Sequence, residues 1–307
     1  MIFTVTLNPA IDHFVRLDRV ELGTVNRASS DQKVAGGKGI NVSKVLKRLG
    51  HPSETMGFIG GFTGRFIKET LEQEGITANF TEIASDTRIN IKIQADQETE
   101  INGASPRILE EDLKNLITQL ERLKAGDQLV LAGSVPETIK DTIYMTLTEE
   151  ARKRKADVFI DSSGRAFEYA IKAAPTFIKP NHHELAELFE TGPLTPKESL
   201  PYVKELLKKD IKYVLVSFAG EGAVLGTREG IYFANTPKGE LKNSVGAGDS
   251  VVAGFLAALS ENKSTVDAFK FSVAAGSATA FSEGFCQRED VEELMKEINI
   301  INLEEGV

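Results

Sequence analysis

Cysteine is almost absent: Cys286 is the only one in 307 residues, so no intramolecular disulfide can form. Histidine is scarce as well, with four scattered along the chain and no grouping of the kind that holds zinc. His182 and His183 are sequence neighbours, and their side chains are expected to point in different directions. Basic residues are outnumbered, 36 against 45 acidic ones, for a formal charge of −9, which argues against a nucleic-acid binder because such proteins need a basic footprint. A small anionic ligand stays open, since a few cations focused in a cleft bind phosphate whatever the net charge. The opening Met1-Ile2-Phe3-Thr4-Val5-Thr6-Leu7 is apolar but short, lacks a basic leader and runs straight into Asn8-Pro9. It fits neither a signal peptide nor a membrane span, and a soluble, cytoplasmic protein without membrane association is expected.

What is present suits one large α/β domain over residues 1–307, with 41% hydrophobic and 26% charged residues. Residues 2–7 read as a strand. Apolar helical stretches over 40–49 and 64–74 flank a strand at 55–59, and further short apolar strands fall at 127–132, 158–160, 176–178 and 213–216. Strands separated by helices are the pattern of a mostly parallel sheet covered on both faces, whose ligands bind beyond the carboxyl ends of the strands. Two stretches break this rhythm. Residues 13–34 alternate apolar and polar around Gly23, and Ile89, Ile91 and Ile93 alternate with Asn90, Lys92 and Gln94 before a turn at Asp96-Gln97. These excursions, about 12–34 and 88–103, are expected to join as one small sheet, a lid over the main body, whose open edges invite pairing into a homodimer.

Two glycine-rich turns carry the chemistry. In Asn243-Ser244-Val245-Gly246-Ala247-Gly248-Asp249-Ser250 the glycines permit a tight turn whose backbone N–H groups converge at the start of an apolar helix, a place to hold an anion. Asp249 is there a carboxylate able to take a proton from a hydroxyl, while the amides of Gly246, Ala247 and Gly248 stabilise a transferring phosphoryl group. The competing reading makes Asp249 or Ser250 a plain helix N-cap. In Ala35-Gly36-Gly37-Lys38-Gly39-Ile40-Asn41, Gly37, Gly39 and Lys38 would approach phosphate or sugar oxygens, with Asn41 offering a donor and an acceptor. A merely structural glycine turn competes with this. The spacing is not that of a Walker A loop, and no early G-x-G-x-x-G supports dinucleotide binding.

With these motifs in this order the chain resembles the ribokinase-like carbohydrate kinases, the phosphofructokinase B family. Gly36-Gly37-Lys38-Gly39-Ile40-Asn41 is similar to the family's sugar-binding signature and residues 243–254 to its catalytic one. Thr6-Leu7-Asn8-Pro9-Ala10-Ile11-Asp12, Val25-Asn26-Arg27, Thr87-Arg88, Ala132-Gly133-Ser134-Val135-Pro136 and Ile178-Lys179-Pro180-Asn181 resemble the branch acting on phosphorylated ketohexoses. The resemblance implies a three-layer αβα sandwich with a small β-sheet lid. It also implies ATP-dependent phosphorylation of a small phosphorylated ketohexose, D-fructose 1-phosphate at its 6-hydroxyl, with D-tagatose 6-phosphate as the alternative. A kinase of an unphosphorylated sugar, or a non-catalytic sugar or nucleotide sensor on the same fold, are the more distant readings.

By the same resemblance Asp12 and Asn41 bind sugar hydroxyls, and Arg27, Lys38 and Arg88 face the substrate's phosphate. Lys179, Asn181 and Glu184 lie on the ATP side, Glu184 helping to organise Mg2+ indirectly, although residues 181 and 184 alone read as an N-cap and its capping-box partner. Ser217, Gly220, Glu221, Gly222 and Gly248 contact the nucleotide. Ala219 stands where relatives often have glycine, so Gly220 and Gly222 are expected to supply the close backbone approach. Ala274-Ala275-Gly276-Ser277-Ala278-Thr279-Ala280 offers a shallow helical surface for adenine, or else close helix packing.

Overall fold

The computed structural model describes residues 1–303. The chain opens with β1 (Ile2–Thr6), leaves it as the antiparallel pair β2 (Ala10–Arg16) and β3 (Ser30–Gly36), and turns into α1 (Lys38–Arg48). Then come β4 (Ser53–Ile59), α2 (Gly61–Gln73), the short strands β5 (Thr77–Ala78) and β6 (Thr81–Glu82), and a second excursion, β7 (Arg88–Gln94) and β8 (Thr99–Ile101). From α3 (Glu110–Leu120) the chain alternates regularly: β9 (Gln128–Ala132), α4 (Ile143–Lys153), β10 (Asp157–Asp161), α5 (Gly164–Lys172) and β11 (Phe177–Ile178). Helices α6 (His182–Leu188) and α7 (Leu200–Leu207) lead to β12 (Tyr213–Ser217), β13 (Ala223–Gly226) and β14 (Ile231–Ala234). The chain closes with α8 (Ala247–Ser260), α9 (Thr265–Ala280), α10 (Arg288–Leu294) and β15 (Ile300–Asn302).

Eleven strands form the central sheet in the order β15-β14-β13-β12-β11-β10-β9-β1-β4-β5, with β6 beside β4. From β12 to β5 the pairings are parallel. Beyond β12 three strands are antiparallel, which the strand–helix alternation of the sequence did not reveal. The reason is local: the connection from β13 to β14 is too short to cross over, and Thr227 closes it through hydrogen bonds to Gly230.

The parallel strands are apolar on both sides of the pleat because both faces are covered. On β9, Val130 faces the cluster formed with Val42, Val45 and Leu46 of α1 and Phe255 of α8, whereas Leu129 and Leu131 face Tyr144, Leu147, Phe167 and Val203 on the other side. This is the three-layer αβα arrangement. Helices α8 and α9 approach very closely: a Cβ on Gly254 would sit 2.8 Å from that of Ala275, and one on Gly276 2.6 Å from Val251 Cγ2. Within the small-residue run 274–280, Ala275 and Gly276 are packed against α8, as the packing alternative for that run expects. Cys286 is buried, and its backbone N–H is held by Thr279 Oγ1 at 3.0 Å.

The two excursions pair with one another as a separate four-stranded sheet, β3-β2-β7-β8, with β2 and β7 in parallel register from Ala10 opposite Arg88 to Arg16 opposite Gln94. A third apolar cluster, Ile11, Ala35, Ile40, Ile67, Leu71 and Ile76, ties its inner end to α1 and α2. The far end is open to solvent, with Leu22 94% exposed and Val25 78% exposed on the β2–β3 connection. Among the described residues no helix is long and apolar enough to cross a membrane.

Phe255 joins the layers: its ring lies 5.0 Å from that of Phe177 and edge-on at 5.2 Å to Tyr213, fully buried. Phe255→Ala is expected to cost about 3–5 kcal/mol of stability, read as a lowered denaturation midpoint in urea.

Candidate active site

The carboxyl ends of the parallel strands and the N-termini of α1 and α8 open on the same side of the sheet. α1 reaches it by riding tightly on β1: a Cβ on Gly39 would lie 2.6 Å from Thr6 Oγ1 and 2.8 Å from the Val5 carbonyl oxygen, and Ile40 N–H donates to Thr6 Oγ1 at 3.0 Å. The space left by Gly39 is thus occupied by the strand, so that helix–strand packing requires glycine there. Gly37 caps the helix at φ 127°, a conformation that carries no favourable L side chain.

At the start of the neighbouring helix Gly246 caps α8 at φ 79°, in the left-handed region, with Phe285 where a Cβ would point. Asp249 is consequently inside the first turn, and neither it nor Ser250 is the N-cap. The Ala247 N–H donates to the Ser244 carbonyl at 3.2 Å, while the amides of Gly246 and Gly248 have no acceptor among the described residues. Two of the three amides expected to face an anion are thus free to do so.

Between the helix starts lies a buried group of charges. Asp249 is 5% exposed, and its Oδ2 accepts from Asn41 Nδ2 at 2.8 Å, joining the two signature motifs directly. Asp161, at the end of β10 and 1% exposed, accepts from Lys38 Nζ at 3.0 Å and lies 3.4 Å from Lys179 Nζ. Asp161 carries no sequence motif; its one signal was a carboxylate ending the apolar run Val158-Phe159-Ile160. Burial would raise its pKa, but the ammonium groups of Lys179 and Lys38 hold it below the usual value. Lys38 is driven up, chiefly by Asp161. Asp249 is pushed up to about 6, first by burial and then by the Asp161 carboxylate, with Lys38, Asn41 and Lys179 opposing. A carboxylate with that value is ionised at neutral pH and still basic enough to receive a proton.

Asp12 and Arg88 sit on the small sheet where it meets this region. Asp12 Oδ1 accepts from Asn90 Nδ2 at 2.9 Å, and burial raises its pKa. Arg88 is half-buried and donates from Nη2 to the Asn8 carbonyl at 3.1 Å. Arg27 is exposed on the β2–β3 connection, and Lys38 is engaged by Asp161, so the two do not join Arg88 in a three-cation cluster in this conformation.

The remaining predicted residues lie beyond β11 and β12. Lys179 is buried and its Nζ lies 3.4 Å from where a Cβ on Gly248 would be. Asn181 caps α6, accepting from the N–H groups of His183 and Glu184, and Glu184 Oε2 returns the bond to Asn181 N–H at 2.8 Å. The capping box is therefore formed, and Glu184 retains its second oxygen. The His182 and His183 rings do not diverge: their centroids are 3.9 Å apart, with His182 also stacked 5.7 Å from Phe218. Ser217 ends β12, and Ala219, Gly220 and Glu221 form an exposed turn. Ala219 adopts φ 48°, the left-handed conformation that glycine would take without strain. Gly220 faces open space, whereas Gly222 is packed against the Ala234 carbonyl and Phe233, so only Gly220 leaves room for a ligand.

Because the folded-state pKa of Asp249 lies above its unfolded value, the native state binds the extra proton between about pH 4 and 6, and stability falls as pH rises through that window. At neutral pH the buried charge is a cost that Asp249→Asn relieves. That variant is expected to be more stable at pH 7, by on the order of 2 kcal/mol, with the gain vanishing near pH 4. Denaturation midpoints of both proteins across this pH range check it; a variant less stable at pH 7 than the parent contradicts it.

Comparison with known proteins agrees with this geometry. The pfkB family carbohydrate kinase model matches residues 5–290. The 1-phosphofructokinase of Bacillus subtilis is 47% identical over 303 residues, covering 99% of this chain and 100% of that protein. The phosphofructokinase-2 of Escherichia coli, solved in complex with fructose-6-phosphate, is similar with a TM-score of 0.90 at 26% identity, over 96% of this chain and 98% of that one. The ribokinase of Arabidopsis thaliana, complexed with ribose and ATP, shares the fold at a TM-score of 0.77 and 22% identity, over 96% and 98%. The resemblance drawn from the two glycine motifs and the ribokinase-like fold are borne out, and the chain belongs to the pfkB family of carbohydrate kinases.

Proposed function

We propose that this kinase transfers the γ-phosphoryl group of ATP to the 6-hydroxyl of D-fructose 1-phosphate, giving D-fructose 1,6-bisphosphate and ADP. The observation that carries this reading is Asp249: a buried carboxylate with a raised pKa, in the first turn of α8, next to free backbone amides and bonded to Asn41 of the other motif. The full-length likeness to a 1-phosphofructokinase favours fructose 1-phosphate over tagatose 6-phosphate as the acceptor.

Asp249 receives the hydroxyl proton as that oxygen bonds to the γ-phosphorus and the bond to the ADP oxygen breaks. The amides of Gly246 and Gly248, at the positive end of α8, stabilise the charge on the transferring group. Asn41 holds Asp249 and, with Asp12, orients the sugar hydroxyls, while Arg88 reads the phosphate already present. Lys179, beside Gly248, serves the nucleotide phosphates together with the 217–222 turn. Among the described residues no cluster of three or more His, Cys, Asp or Glu side chains forms a metal cage. The buried Asp161 Oδ2 without a partner and the spare oxygen of Glu184 fit a Mg2+ ion held mainly by nucleotide phosphates and water. Such an ion would neutralise phosphate charge.

The small sheet is the lid of this reading, excluding water as a competing acceptor when it closes. Its open edges at β3 and β8 and the exposed Leu22 and Val25 support a homodimer formed through it.

The test is kcat/KM for fructose 1-phosphate, tagatose 6-phosphate, fructose 6-phosphate and fructose, side by side, with fructose 1-phosphate expected highest. In the same assay Asp249→Asn should lower kcat by about 10² or more while ATP still binds; turnover within about threefold of the parent removes Asp249 as the base. Arg88→Ala should cost about 2–5 kcal/mol in kcat/KM for fructose 1-phosphate and far less for fructose. An unchanged ratio of the two specificity constants eliminates Arg88 as a phosphate reader.

A further inference from the structure

Asn8 follows β1 and is 5% exposed, yet most of its bonds lead outward. Its Nδ2 donates to Ser105 Oγ at 2.9 Å and to Ser134 Oγ at 3.2 Å, and its backbone carbonyl accepts from Arg88 Nη2. Its own Oδ1 is buried with no partner, as is Arg88 Nε. The Asn8 side chain therefore joins the return from the small sheet to the loop after β9, while its backbone carbonyl holds the start of β7.

The direction of these bonds matters. A serine oxygen that accepts from an amide keeps its own O–H for a different acceptor. Ser134 is exposed and Ser105 half-buried, so neither residue is sealed in the core. Arg88, anchored through one nitrogen, keeps its remaining donors. Ser134 also adjoins Gly133, where a Cβ would lie 3.7 Å from that of Lys38, which puts this donor group beside the sugar-binding turn. A side chain serving the fold alone would gain most by satisfying its own acceptor, since a buried unmet oxygen destabilises. Asn8 instead uses both amide hydrogens to orient accessible hydroxyls and leaves its acceptor empty.

We propose that Asn8 is a positioning residue for the anionic end of the sugar: its side chain presents the Ser105 and Ser134 hydroxyls to a phosphate monoester, beside the Arg88 guanidinium that its backbone carbonyl anchors. The inference rests on the reading that the substrate is a phosphorylated ketohexose. The Asn8 side chain touches no substrate itself and acts through the two serines.

Steady-state kinetics with fructose 1-phosphate and with fructose, varying ATP in parallel, test it. Asn8→Ala is expected to raise KM for fructose 1-phosphate about 10- to 100-fold, leaving KM for ATP within about twofold and kcat/KM for fructose little changed. Asn8→Asp keeps the shape but has no hydrogens to donate and should be equally impaired. In a Ser105→Ala, Ser134→Ala background, which keeps Asn8 and its fold and should itself show the rise in KM, adding Asn8→Ala should cost no more than about threefold further. The proposal is overturned by an Asn8→Asp enzyme equal to the parent, by equal losses on the two sugars, or by full additivity with the serine changes. A parent enzyme that uses fructose as well as fructose 1-phosphate removes the functional reading and this proposal with it. A parent that prefers the phosphorylated sugar, with Asn8 variants unaffected, removes this proposal alone.

Discussion

The ion pairing of Asp161 with Lys38 and Lys179 is the constraint around which the catalytic side of the molecule is arranged. An unpaired carboxylate at the end of β10, 1% exposed, would be prohibitively costly in so apolar a sheet. Two ammonium groups, one from the first residue of α1 and one from the residue after β11, make it tolerable. That requirement fixes where α1 can begin relative to the sheet. It also leaves a fixed negative charge near Asp249, whose proton affinity is raised first by its own burial and then by that charge. One buried cluster thus sets both a structural position and a chemical property. Removing either lysine would leave charge exposed to a low-dielectric surrounding, and the loss would be felt in packing and in the proton affinity of Asp249 together.

Rigid placement of that cluster follows from how the helices meet the sheet. α1 lies so close to β1 that Gly39 touches the strand, and α8 lies so close to α9 that Gly254 and Gly276 are in contact with side chains opposite. Small residues at these crossings let the helices approach closely, and the close packing fixes where the two helix N-termini stand. The distance across the cleft is then spanned by one hydrogen bond, Asn41 to Asp249. A bulkier residue at either crossing would move a helix start, and the bond with it.

Much of this was legible in the sequence, and the limits have physical causes. Apolar alternation and glycine turns are local, so the parallel strands, α1 and the α8 turn could be read from residues a few positions apart. Asp249 and Asn41 were legible because each sits in a motif with its own local chemistry. Asp161 and Asn8 were not, since their meaning comes from partners outside any local motif, such as Lys38 for Asp161 and Ser105 for Asn8, each more than ninety residues away. The antiparallel edge escaped because β13 and β14 are four residues each and carry no distinctive period. Gly222 was misjudged for the same reason: a glycine needed for ligand approach and one needed because a neighbouring carbonyl occupies its Cβ position look identical in sequence. Ala219 shows the converse, a left-handed backbone imposed by the turn on a residue that disfavours it.

Two buried asparagines explain how recognition and the small sheet are joined. Asn90, on β7, accepts from the Gly103 N–H at 3.2 Å and donates to Asp12 on the neighbouring strand, while Asn8 holds Ser105 two residues further on. The segment by which the chain leaves the small sheet is therefore tied to the Asp12 carboxylate on one side and to the arginine-bearing edge on the other. Any displacement of that sheet must shift Asp12, Arg88 and Ser105 in concert, because each tie is a hydrogen bond in a partly desolvated place where a broken partner is not replaced cheaply by water. A sheet so tied has no independent position: under the proposed function, where it sits decides whether the polar groups at both ends of a sugar find their partners, and a sugar that engages both ends in turn fixes where it sits.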